Sequence, residues 1–291
     1  MAAKYKVRSI SLPSGSHPTT LRVEEELSRL QTSSSSASIC KDLCGLEELY
    51  DCVDDLLQMT STKQLLSHYQ QEKCMDELFD GSLRLLDICG ITRDVMSQIK
   101  EHVRDLQSAL RRRKGDSSIE SSIANYNCFR KKMKKDAKKL ITSLKKVDNK
   151  ASQHLEQDQH ASAVTRVLKE VFGKNMSIFQ FLLVFLAVPV SKPRSKKWSL
   201  VSKFMHKGVI ACEDQNEDIN GHELDVVDAA LDSVCKSSSA PTEGANVEKI
   251  QNAHKKLEAL EVTVEGLENG LDSVFRRLIK TRAFLLNIIS M

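Results

Sequence analysis

From Ile250 to Ile288 apolar side chains recur in alternating steps of three and four residues: Ile250, Ala253, Leu257, Leu260, Val264, Leu267, Leu271, Val274 and Leu278, then Thr281, Leu285 and Ile288. Such steps hold every side chain on one seam of a helix, and a seam of that length demands a second apolar surface to cover it. Two further seams repeat the pattern. One uses Met75, Leu78, Ser82, Leu85, Cys89, Thr92, Met96, Ile99, Val103, Leu106 and Leu110; the other uses Ile119, Ile123, Tyr126, Arg130, Met133, Ala137, Leu140, Leu144 and Val147. Between them Lys114-Gly115-Asp116 reads as a tight reversal, which makes the two helices an antiparallel hairpin. Gly90 interrupts the first seam and marks an expected kink or break. The expected fold is all-α: an elongated antiparallel helical bundle with coiled-coil-like seams and a disordered N-terminal tail.

Composition agrees. The chain has 11 Gly, 5 Pro and 5% aromatics, too few for the turn-rich strands of a sandwich or barrel, and its 41% hydrophobic content argues against general disorder. Residues 1–19 read as a basic, Ser-containing disordered tail: no acid occurs before Glu24, and Pro13 and Pro18 interrupt any amphipathic pattern. A short helix is expected over about residues 20–31, with the serines of 33–36 as a linker. A second helix carries Ile39, Leu43, Leu46, Leu49, Val53, Leu56 and Leu57 and ends near Met59. Ser61-Thr62-Lys63-Gln64 and Ser117-Ser118-Ile119-Glu120 both fit the capping-box pattern that opens a helix. The organisation that results is a helical bundle over 20–236, a linker over 237–246, and a heptad helix over 247–291. That last helix either packs on the bundle or self-associates, with Leu260, Leu267, Leu271 and Leu278 as the candidate self-association seam.

Several segments resemble the plant domain-of-unknown-function family 241, the Bypass-like proteins. They are Arg8-Ser9-Ile10-Ser11-Leu12-Pro13 with His17-Pro18, the run from Gly45 to Asp54, the run from Asp76 to Asp87, Leu110-Arg111-Arg112-Arg113-Lys114, and Trp198-Ser199-Leu200-Val201-Ser202-Lys203. The resemblance implies a link to root and shoot development. It implies no enzymatic activity and no catalytic residue.

A search for chemistry leads to the same expectation of a non-enzymatic protein without cofactors. The glycines are isolated, so no phosphate-cradling loop is present. Gly266 and Gly270 form a small-residue spacing that reads as local close packing, because Glu258, Glu261, Glu265 and Glu268 exclude a membrane helix. Cys40, Cys44 and Cys52 are the best thiol cluster, but their spacings place them near one helical face as small apolar residues rather than as a zinc set. His154 and His160, six apart, do not share a face. Eight scattered cysteines without a secretory segment read as reduced thiols, giving an expected cytoplasmic location, with the membrane periphery and the nucleus as alternatives.

Partners are expected to be proteins. Arg8, Ser11 and Pro13 match the phosphoserine motif recognised by 14-3-3 proteins, with Ser11 bearing the phosphate and Arg8 placed for a basophilic kinase. Arg130, Lys131, Lys132, Lys134, Lys135, Lys138, Lys139, Lys145 and Lys146 give the second seam a basic polar face suited to an acidic protein or anionic lipid. Nucleic acid ranks last, for lack of interleaved aromatics. The apolar run over 178–190 is about thirteen residues, short of the roughly twenty that span a bilayer. Its bland reading is a buried helix. With Lys192, Arg194, Lys196, Lys197 and Trp198 behind it, it also suits peripheral contact with an anionic membrane, through Phe181, Phe185, Lys196, Lys197 and Trp198. A homo-oligomer through the C-terminal seam is the remaining partner reading.

Overall fold

The computed structural model describes residues 17–30, 35–69, 73–112, 116–152, 163–187, 223–237 and 243–290. They form eight helices and, among the described residues, no strand: α1 (Pro18–Arg29), α2 (Ser36–Gln58), α3 (Thr60–His68), α4 (Lys73–Arg112), α5 (Asp116–Ser152), α6 (Ala163–Ala187), α7 (Glu223–Ser237) and α8 (Glu243–Ile289). The expected reversal at Lys114-Gly115, most of the tail and residues 238–242 of the expected linker lie outside the described residues, as do Arg8, Ser11, Pro13, Lys192, Arg194, Lys196, Lys197 and Trp198; the rest of the expected linker, 237 and 243–246, is helical.

Four helices make the central layer pair. Helix α8 packs on α2 and α4, and α6 packs on the same two from the other side, so α2 and α4 are each shared. Helix α1 lies against α2 and α6, α3 against α2 and α8, α5 against α6 and α4, and α7 against α8 and α5. At 47 residues α8 is roughly 70 Å long, which gives the bundle its elongation.

The three seams supply the core. Every member of the α4 seam from Met75 to Leu110 is buried, including the polar Ser82 and Thr92. On α5 the seam is buried from Ile119 to Leu144 apart from the partly covered Leu140, and on α8 from Ala253 to Ile288. On α4 the polar members are satisfied locally: Ser82 Oγ donates to the Phe79 carbonyl at 2.8 Å, and Thr92 Oγ1 donates at 2.9 Å, bridging the Ile88 and Cys89 carbonyls; the buried Thr281 hydroxyl on α8 has no such partner among the described residues. Helix α4 runs through Gly90 unbroken, so the expected break is absent; a helical glycine keeps its backbone hydrogen-bonding groups.

Charges fix the register. Along the α4–α8 seam Arg93 pairs with Asp272, Lys100 with Glu268 at 2.8 Å, Arg104 with Glu261 at 3.1 Å and Arg111 with His254 at 2.9 Å. Partner numbers fall as α4 numbers rise, so the helices are antiparallel. Arg93 also stacks over Phe275 at 4.5 Å, a cation–π contact. Hydrogen bonds from Gln107 and Arg104 hold the Glu261 carboxyl below its usual pKa range. A depressed carboxylate stabilises the fold above its unfolded pKa and loses that contribution as pH falls through the folded value. On the α2 side, Arg277 meets Asp51 at 2.6 Å and Lys280 meets the buried Asp54 at 2.7 Å.

Two local expectations need correction. Helix α3 starts at Thr60 with Met59 as its N-cap and no side-chain cap, so Ser61 and Gln64 lie inside the helix instead of forming a capping box. Helix α5 starts at Asp116, which likewise puts Ser117 within it. The Gly266 and Gly270 spacing does accompany close packing: a Cβ on Gly270 would stand 2.9 Å from Leu43 Cβ, and one on Gly266 would stand 3.4 Å from Cys40 Sγ. Helix α2 approaches α8 this closely because Gly270 has no side chain.

The glycines therefore separate under substitution. Gly270→Ala places a methyl against the root of Leu43, and overpacking of about 1–3 kcal/mol outweighs a helix-propensity gain of about 1 kcal/mol. Gly90→Ala meets nothing within 4 Å and collects the propensity gain alone. Urea denaturation should show the first variant less stable than the natural chain and the second more stable.

Candidate interaction surface

Helix α5 carries its basic residues in two directions. Arg130 belongs to the apolar seam, and its side chain is 3% exposed. A buried guanidinium needs full compensation, since desolvation alone costs several kcal/mol. It receives this from α7 and α6: Nε lies 3.2 Å from Asp228 Oδ1, Nη2 lies 3.0 Å from Asp228 Oδ2 and 3.7 Å from Asp225, and Nη1 reaches the Leu186 carbonyl at 3.5 Å. Leu186 lies in the last turn of α6, where carbonyls lack helical partners and a cation is favourable. Lys134, one turn on, also turns inward and meets Asp228 at 3.2 Å. Tyr126, on the preceding turn, is fully buried beside Asp228, and burial raises its pKa. One short acidic helix is thereby tied to α5 and to the end of α6.

The other direction is outward. Lys131, Lys132, Lys135, Lys138 and Lys139 are all exposed. Lys139 pairs with Asp136 at 3.1 Å, and no other described acid pairs with this group. Asp225 and Asp228, the nearest acids on α7, are engaged by Arg130 and Lys134. Five ammonium groups thus share one face about 12 Å long, with eight helical rises of 1.5 Å from first to last. The sequence pattern shows one basic face; what it does not show is that two of its cations belong to the core.

Elsewhere the described residues offer little for catalysis. Burial raises the pKa of the Cys40, Cys52 and Cys235 thiols, and Cys89 is pushed up to about 12, the opposite of what a reactive thiolate needs. The three-cysteine cluster is not a set of core thiols: Cys52 is buried, Cys40 partly so, and Cys44 exposed, because steps of four and eight drift around a helix of 3.6 residues per turn. Among the described residues no three His, Cys, Asp or Glu side chains converge as metal ligands.

The apolar run belongs to a longer helix than the thirteen residues suggest. Helix α6, Ala163–Ala187, has the length and composition to cross a membrane, but over half of its apolar window is buried inside the bundle. Phe185 is 1% exposed and Phe181 is partly buried against the core, which withdraws Phe185 from any membrane contact. Leu260, Leu267 and Leu271 are 0% exposed and Leu278 is 1% exposed, so these four side chains are covered within the chain.

Two consequences are measurable. Phe185→Ala should lower unfolding stability by about 3–5 kcal/mol, as for a filled core site, whereas a membrane-facing phenylalanine would leave it unchanged. Asp228→Leu alone strands a buried arginine and should cost about 3–5 kcal/mol. Adding Arg130→Met removes the stranded charge, and the double variant should recover most of that loss in urea unfolding.

A family profile described as Protein BPS1 matches residues 42–288, which runs from within α2 through nearly all of α8. No curated protein and no solved structure matches the chain. The match spans most of the sequence and agrees with the Bypass-like motifs around Gly45 and Asp76, so the chain belongs to the Protein BPS1 family of plants.

Proposed function

We propose that this protein is a non-enzymatic helical interaction protein, cytoplasmic, which serves plant root and shoot development by binding rather than by turnover. The observation that carries this reading is the outward face of α5, where Lys131, Lys132, Lys135 and Lys138 have no acidic partner among the described residues. A solvated helix surface normally mixes both signs, and an uncompensated run of one sign favours counter-charged partners. The raised thiols and buried tyrosines support the non-enzymatic part, since these groups stay protonated at neutral pH. The link to plant development comes from the family.

The test replaces the charge and keeps the fold. Lys131→Glu, Lys135→Glu and Lys138→Glu together alter only exposed side chains. Proximity labelling in plant tissue should recover a reproducible set of neighbours with the natural chain, and the triple variant should reduce their recovery about tenfold at unchanged helicity, a little over 1 kcal/mol of binding. Identical neighbour sets for both proteins, or none with the natural chain, would count against the reading.

A further inference from the structure

Resting on the reading of α5 as a binding face, we infer that its occupant is an anionic lipid surface, which the protein meets side-on by electrostatic adsorption without inserting. Three features of the face select this partner.

The first is the chemistry of the cations. All five outward groups are lysines, while the one arginine on this stretch, Arg130, is turned into the core. Lysine is a hydrated point charge without the planar fork that reads a particular carboxylate or phosphate, so the array suits a diffuse negative surface better than a defined ligand. Each lysine near an anionic leaflet contributes roughly a fivefold gain in partitioning, and groups about one Debye length apart act together.

The second is the missing anchor. High-affinity protein interfaces concentrate their energy in a few buried anchors, typically aromatic or arginine. Among the described residues the exposed large apolar side chains are Leu21, Leu83, Ile91, Val247, Val262, Ile279 and Leu286, and none is on α5. Its described apolar seam, Ile119 to Leu144, packs into the core with Leu140 partly covered, and its aromatics Tyr126 and Phe129 pack inward with His102, the Phe129 ring at 4.5 Å from the imidazole. The same absence excludes insertion. It also moves membrane contact away from Phe185, which the fold buries.

The third is geometry. The lysines lie within about two turns of one unbroken helix and are all exposed, so they form one row that a single charged surface can meet together. Cys128 is exposed one turn before Lys131, on the same side, and serves as a built-in reporter of contact.

The full-length protein should float with vesicles of phosphatidylcholine containing about one-third phosphatidylserine and stay behind with phosphatidylcholine alone. Raising the salt from about 0.1 M to about 0.5 M should release it, as screening requires. The Lys131→Glu, Lys135→Glu, Lys138→Glu variant should bind at least tenfold more weakly. Lys255→Glu with Lys256→Glu, which alters exposed lysines of α8, should bind as the natural chain does. Alkylation of Cys128 by a membrane-impermeant maleimide, read site by site by mass spectrometry, should slow severalfold on anionic vesicles while exposed Cys44 keeps its rate. Absence of flotation, equal weakening by both sets of reversals, or equal protection of the two cysteines would overturn the lipid assignment. If flotation fails while the α5 reversal still strips neighbours in tissue, the face binds an acidic protein and the interaction reading survives. If neither assay responds, both are wrong.

Discussion

The antiparallel seam between α4 and α8 sets the geometry that the other helices follow, because it is the longest apolar contact and its charge pairs admit one register. Sliding α8 by one turn would separate Arg93 from Asp272, Lys100 from Glu268 and Arg104 from Glu261 together. Each pair is partly exposed and worth roughly 0–1 kcal/mol, so their effect is on alignment more than on stability. Stability comes from the leucines beneath them. With α8 fixed, Gly270 admits α2 at close range, and Arg277 and Lys280 meet the acids that α2 brings.

The periodicity of these seams is legible in the sequence because a helix needs only local spacing to declare itself. Partner choice is not local. Leu260, Leu267, Leu271 and Leu278 would read identically if they faced a second chain, and only the presence of α2, α4 and α7 against α8 decides that they do not. The run ending at Ala187 has the same ambiguity: the hydropathy of a central core helix equals that of a membrane-facing one, and α6 is central because four other helices cover it. Capping signals failed for a different reason. Ser61 and Ser117 are followed by suitable side chains, but α3 and α5 already begin at Thr60 and Asp116, two residues before the starts those caps would set.

Arg130 was visible as the one charged member of an apolar seam. Its explanation was not, because Asp225 and Asp228 lie nearly a hundred residues away on a helix whose own pattern shows only Leu224, Val227, Leu231 and Val234 facing inward. The pairing has a cost that apolar residues would avoid, and what it adds is placement: α7 is held at one rotation relative to α5 by a two-toothed contact that apolar packing alone would not specify.

That placement bears directly on the outward face. Lysines at 131 and 135, 132 and 135, 135 and 138, and 135 and 139 are helical neighbours of like charge, each pair unfavourable by about 0.2–0.5 kcal/mol, so the row opposes its own helix by roughly 1–2 kcal/mol. The helix persists because Ile123, Tyr126, Met133, Ala137 and Leu144 are buried on the opposite side and because Arg130 is clamped there. Within the row only Asp136 offsets the charge, through its pair with Lys139 at 3.1 Å, while the α7 acids are engaged on the inward side. A negatively charged surface placed against α5 removes the repulsion without disturbing the core, so part of the favourable energy of association is already stored in the folded chain as lysine–lysine repulsion.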